Sequence, residues 1–441
     1  MKITSRSLTL LIINIVVCPL LGNTTLFNTN FHNPINKFLL FLLPCLYFIS
    51  FIIDLCKLKK TKSRFDILTI LLFLLIITLS ISLFLGISFD FNSLTNFISY
   101  VYIILFIYSI YVYEFSKDNL IKIFKSILSI FLIISIIGII QYIFDFNLIE
   151  RGVFKYPGAL GRITSTMSNA TILDKYLSLN LLLIIYVMYK LHKFNWKLVL
   201  CFLIGLVALS FTYSRSGTIC FYFIAFIFTI LFIYKKQWIN LLIIISSLIL
   251  LYLIPGQKYL LSSTSNYVND TVNEIWDKLN MEYLSPINNG IAKLFTIDDF
   301  FDEDDSINSR NYYMEVAKRI IDEYPLTGIG IGNYNYIYKN QNVNDYLENK
   351  LNLKIEYLYP HNLYYHFASE TGIIGLILLI SIFVLMFLKA IKNNNLVISF
   401  LFLVLFLLGS ITESLLYMKD IAFWIIIIYS LFMKKSYESI S

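Results

Sequence analysis

Apolar runs close to twenty residues long recur along this chain, and no other feature limits its fold as much. Stretches such as Leu71 to Leu79, Ile127 to Ile140 and Leu241 to Ile254 are apolar around the whole helical circumference. That pattern suits lipid and neighbouring helices rather than one face buried against a core. Of the 441 residues only 14% are charged and 58% are hydrophobic, whereas a soluble chain carries roughly a quarter charged residues. Most of the surface therefore never meets water. A transmembrane β-barrel is excluded because its strands alternate in polarity. The expected fold is all-α, a polytopic membrane helix bundle.

The apolar stretches mark about twelve spans, centred on 8–22, 38–56, 66–88, 94–114, 121–144, 172–190, 196–213, 216–234, 237–254, 366–389, 396–413 and 420–433. Lys and Arg of short loops accumulate on the cytoplasmic side. With an inside N-terminus, the inner loops take Lys57, Lys59, Lys60, Lys62 and Arg64, then Lys117, Lys122 and Lys125, then Lys190, Lys193 and Lys197, and later Lys235, Lys236, Lys389 and Lys392. The short outer loops and their flanks hold only Lys37, Arg151, Lys155, Arg162, Lys175, Arg215 and Lys419. Both termini are then cytoplasmic. Lys2 and Arg6 precede an apolar run with no small-residue cleavage site after it, so this reads as a retained first helix. The net charge of +7 is a topology signal and points to no nucleic-acid partner. Cys18, Cys45, Cys56, Cys201 and Cys220 all lie in apolar segments, which excludes a disulfide-stapled outer domain and a cysteine zinc site.

One connection is long. From Pro255 to His361 it carries nine Lys and Arg against sixteen Asp and Glu, and long structureless loops are rare unless functional. The chain thus divides into a membrane bundle of about nine helices over 1–254, an outer, partly helical subdomain over 255–361, and about three membrane helices over 362–441. Helical spacing recurs from Tyr267 to Leu279 and from Tyr313 to Tyr324, the second helix opening at Arg310 with Asn308 or Ser309 as N-cap and stopping before Pro325. The acidic run Asp298 to Asp305 reads as solvated loop, its carboxylates too clustered for a metal cage.

Ionisable groups at or inside a membrane carry an energetic cost and mark candidate chemistry. Arg215, between Ser214 and Ser216-Gly217, is either a snorkelling anchor or an anion ligand flanked by small residues. Arg162 lies in an outer loop, and Arg310 at a helix start would oppose the macrodipole and need an acidic or phosphate partner. His361 and Asn362 stand where the chain re-enters the membrane; a neutral histidine there can anchor or accept a proton. Glu370, just inside the span, needs a partner in either case, while His366 among Tyr364, Tyr365 and Phe367 suggests an aromatic-belt position. Thr327-Gly328-Ile329-Gly330-Ile331-Gly332-Asn333 lacks the dinucleotide fingerprint; it reads as a tight turn whose N–H groups could form an anion nest. Several arginines without a metal cluster suit a lipid diphosphate.

These motifs, in this order, resemble the O-antigen ligase and Wzy-type polysaccharide polymerase superfamily. They are Gly161-Arg162 with Asn169 downstream, Ser214-Arg215-Ser216-Gly217, and Arg310 ahead of Tyr324-Pro325-Leu326-Thr327-Gly328-Ile329-Gly330, then His361-Asn362 with Glu370-Thr371-Gly372-Ile373-Ile374-Gly375. The resemblance implies a metal-independent, cofactor-free glycosyltransferase of the GT-C type. Such an enzyme takes glycan from an undecaprenyl diphosphate carrier at the outer face of the bacterial cytoplasmic membrane. Arg215 and Arg310 would bind the diphosphate with Arg162 and Asn362 assisting, His361 would serve the acceptor hydroxyl as base, and Glu370 would hold an arginine or His361. A polymerase extending a lipid-linked chain, with a flippase and a chain-length regulator as companions, is the leading reading. A ligase onto lipid A core or protein shares the same donor motifs. A flippase or transporter is the remoter reading, since transporters commonly show repeated halves and midplane charges, whereas this chain has one lopsided outer loop and its key ionisable residues at one face. Polyprenyl-phosphate-sugar transferases place acids in the first outer loop, and Asn23 to Lys37 has none.

Overall fold

The computed structural model describes residues 1–21, 34–57, 66–87, 89, 91–144, 163–167, 170–191, 194–212, 214–253, 303–334, 361–417 and 419–434. Among these the elements are thirteen helices, with one isolated bridge between Lys2 and Glu114. In chain order they are α1 (Ser5–Leu21), α2 (Pro34–Cys56), α3 (Ile67–Leu85), α4 (Phe91–Val112), α5 (Lys117–Phe144), α6 (Ala170–Leu191), α7 (Trp196–Phe211), α8 (Arg215–Tyr234), α9 (Trp238–Leu253), α10 (Glu303–Glu323), α11 (Leu363–Lys392), α12 (Leu396–Thr412) and α13 (Lys419–Leu431). Six of them are long and apolar enough to cross a membrane, and six more are shorter apolar helices. These twelve fall at the twelve apolar stretches, so the fold is a polytopic helical membrane protein.

The thirteenth, α10, corrects one expectation. It opens at Glu303 rather than near Arg310, so Arg310 sits inside the helix and not at its start. Glu303, Asp304 and Asp305 instead occupy the first turn, where acidic residues complement the helix dipole. The periodic stretch 267–279 lies outside the described residues.

The chain forms two compact units: Met1–Cys18 with Phe38–Ile123 and Asp302–Ile440, and Pro19–Lys37 with Phe124–Phe301 and Ser441. In the second unit α6 is buried continuously from Ile172 to Met188 and packs on α7 and α8, with α9 against α8. The segment after Arg162 is tied to α5, because Gln141 Oε1 accepts from Thr164 N at 3.1 Å and Ser165 N at 2.8 Å.

In the first unit α11 packs on α3, α10 and α12, and α13 on α4. At one end of this unit Asp66, the N-cap of α3, accepts from Thr69 N, the Tyr111 hydroxyl and Lys389 Nζ, the last at 2.6 Å. Thr69 Oγ1 adds a fourth donor to this carboxylate at 3.0 Å. Lys434 Nζ donates to Tyr111 O at 2.6 Å and the Met1 ammonium to Val112 O at 3.4 Å. Both ends of the described chain therefore gather where α4 finishes.

At the opposite end α11 is broken. Gly372 has φ 73° and ψ 176°, a conformation open essentially to glycine alone. Backbone groups freed inside a bilayer must find new partners, and the loop after α10 supplies them. Ile329 N donates to Ser369 O at 2.9 Å, Gly330 N to Glu370 O at 3.1 Å, and Ile373 N to Pro325 O at 2.8 Å. Ser82 Oγ adds a second bond to Glu370 O at 2.6 Å. A Cβ on Gly372 would run into the Leu326 carbonyl. Gly372→Ala is therefore expected to cost about 3 kcal/mol, read as a lower thermal midpoint in detergent; an unchanged midpoint would mean the break is not needed.

The same bonds settle the glycine-rich loop. The N–H groups of Gly328, Ile329, Gly330 and Asn333 are bonded to Tyr324 O, Ser369 O, Glu370 O and Gly330 O. It is a turn, as its composition suggests, and these four amides are taken by the protein.

Candidate functional site

The site in the first unit is built where α11 begins. Asn362 caps that helix, its side-chain oxygen accepting from Tyr364 N at 3.0 Å and Tyr365 N at 3.2 Å. The preceding residue, His361, is turned to φ 44° and its side chain stays 27% exposed. Its Nδ1 lies 3.3 Å from Glu413 Oε1, on a side chain only 1% exposed. With the proton on Nδ1, that nitrogen donates to the buried carboxylate and Nε2 carries the lone pair.

Glu413 escaped the sequence reading. It is the C-cap of α12, at the end of the apolar span 396–413, and an acid there is itself a signal. Only its distance along the chain from His361 concealed the pairing.

Glu370 is wholly buried and holds neither an arginine nor His361 directly through any contact described. Its carboxylate accepts from the Tyr417 hydroxyl at 2.5 Å and Tyr334 N at 3.2 Å, with His366 Nε2 at 3.5 Å. His366 in turn lies 3.1 Å from Ser414 Oγ through Nδ1 and stacks on the Tyr417 ring at 3.4 Å. Ser414 follows Glu413, and Tyr417 N bonds Ser414 O at 2.9 Å. Glu370 and His366 thus clamp the turn that presents Glu413 to His361. The belt position expected for His366 is corrected: one helical turn before Glu370, it faces that carboxylate and is fully buried.

Arg310 lies one turn before Met314 on α10, and the Met314 sulphur is 4.0 Å from Asn362 Nδ2. Val316, Ala317 and Ile320 of α10 pack with Ile329 and Tyr334, which seats the helix beside the start of α11. Arg215 belongs to the second unit as the first residue of α8, after Ser214 at the N-cap. Arg162 lies outside the described residues. Among the described residues no group of three or more His, Cys, Asp or Glu could hold a metal ion.

No curated protein matches the chain. The O-antigen ligase family matches residues 200–380, the stretch that holds Arg215, Arg310, His361, Asn362 and Glu370. The match supports the resemblance read from the motifs: over residues 200–380 this membrane-helix chain is similar to the O-antigen ligase family, whose members handle glycans.

Proposed function

We propose that this protein is a metal-independent glycosyltransferase that elongates a lipid-linked polysaccharide at the outer face of the bacterial cytoplasmic membrane, with both termini in the cytoplasm. The donor is a glycan on undecaprenyl diphosphate and the acceptor a sugar hydroxyl of a second lipid-linked repeat unit. The observation that carries the reading is the His361–Glu413 pair, a partly exposed imidazole backed by a buried carboxylate, with His361 inside the family match.

In this reaction the acceptor oxygen attacks the anomeric carbon and the bond to the diphosphate oxygen breaks. The hydroxyl proton passes to His361 Nε2, and the imidazolium that forms is stabilised by Glu413. The leaving diphosphate gains negative charge, on which the guanidinium groups of Arg215 and Arg310 act, with Arg162 and Asn362 assisting. Glu370 serves by keeping the Glu413 turn in place. A ligase is the second reading, favoured by the description of the matched family as an O-antigen ligase.

Reconstitution in vesicles with a lipid-linked repeat unit separates these. Glycan ladders with release of undecaprenyl diphosphate support the polymerase. Single transfer onto lipid A core or a protein would replace it with the ligase, and flipping without bond formation would overturn both.

A further inference from the structure

Helix α6 carries two ionisable residues where it is buried on every side. Asp174 and Lys175 have side chains 0% and 3% exposed, with Lys175 Nζ 3.0 Å from Asp174 Oδ1. Adjacent residues on a helix do not face each other, so helical spacing does not produce this pair; the lysine has to fold back onto the carboxylate. Placing both charges at this depth is costly and calls for a reason.

The other carboxylate oxygen supplies it. Asp174 Oδ2 accepts from Ser214 Oγ and from Gly217 N, the latter at 3.1 Å. Ser178, one turn further along α6, donates to Gly217 O at 3.1 Å. A Cβ at Gly217 would lie 2.5 Å from Asp174 Cβ, so only glycine lets the helices approach this closely. Ser214 occupies the N-cap of α8 but makes no capping bond with its own side chain. Asp174 does the capping from the neighbouring helix, setting a negative charge against the N–H groups of the first turn. The two groups it grips, Ser214 and Gly217, bracket Arg215.

We propose that Asp174 is the positioning residue for Arg215: its buried carboxylate fixes the Ser214–Gly217 turn, so that the arginine is preorganised for the lipid diphosphate, and Lys175 supplies the counter-charge. This rests on the reading that Arg215 binds the diphosphate. Lys175, which looked like an outer-loop flank, belongs to the interior of α6.

The test uses the full chain in lipid nanodiscs with undecaprenyl diphosphate as the probe. Asp174→Asn keeps size and one acceptor oxygen, and is expected to weaken binding about tenfold, as for loss of a charge-assisted hydrogen bond, and to lower the thermal midpoint, because the buried Lys175 loses its counter-charge. In an Arg215→Ala background the same substitution should weaken binding no further, because the two residues act as one unit. No loss in the wild-type background, or an equal loss in both, overturns the proposal. If Asp174→Asn fails to fold, Ser214→Ala removes a single donor to the same carboxylate. It should weaken binding about threefold, again only while Arg215 is present; a loss independent of Arg215 overturns the proposal. Equal binding by wild type and Arg215→Ala would overturn the diphosphate reading itself, and the inference with it.

Discussion

His361→Ala is expected to slow glycan transfer by about 10²–10⁴-fold, the usual contribution of a general base, while the protein still folds and still binds the lipid diphosphate. The side chain is partly exposed and lies beside the buried Glu413 carboxylate; its removal takes a partner from that carboxylate, so the variant's thermal midpoint is measured before rates are compared. Glu413→Gln should show a smaller loss of about 10²-fold, since an amide can still accept from Nδ1 but cannot balance the imidazolium charge. Single-turnover transfer in reconstituted vesicles is the measurement. A rate within a few-fold of wild type for well-folded His361→Ala would remove the base from the mechanism.

Arg215→Ala should abolish visible glycan ladders, with a loss of about 10²–10³-fold, as when one preorganised donor to a developing charge is removed. The loss should appear in transfer rate more than in expression or folding. Arg215→Lys should recover little of it, because an ammonium replaces the guanidinium fork by a point charge. Ladder length and undecaprenyl diphosphate release, followed together, provide the check. Near wild-type ladders from both Arg215→Ala and His361→Ala would refute the assignment of the site.

The membrane fold was legible because each span announces itself locally, through an unbroken apolar run of sufficient length. The parts that could not be read depend on contacts far apart in the chain. Thr371-Gly372-Ile373-Ile374 reads as continuous apolar helix, and only the amides of Ile329 and Gly330, arriving from the outer segment, make the break at Gly372 affordable. The start of α10 was misjudged because Asn308 and Ser309 are good caps in isolation, while the acidic turn at Glu303 to Asp305 looked like solvated loop. Among the site residues, His361 and Glu370 stood out as ionisable groups at a membrane edge. Glu413 and Asp174 carry the same signal, yet their roles emerge only once α11 meets the α12 terminus and α6 meets α8.

The pairing of His361 with Glu413 also has a consequence for the timing of biosynthesis. The histidine leaves the ribosome some fifty residues ahead of its carboxylate, and the clamp formed by Ser414 and Tyr417 arrives later still. A nascent chain that has inserted α11 but not yet completed α12 carries every candidate donor-binding residue and an imidazole with no carboxylate to orient it. On the proposed mechanism reactivity would therefore be acquired last, once the segment that carries Glu413 has joined His361.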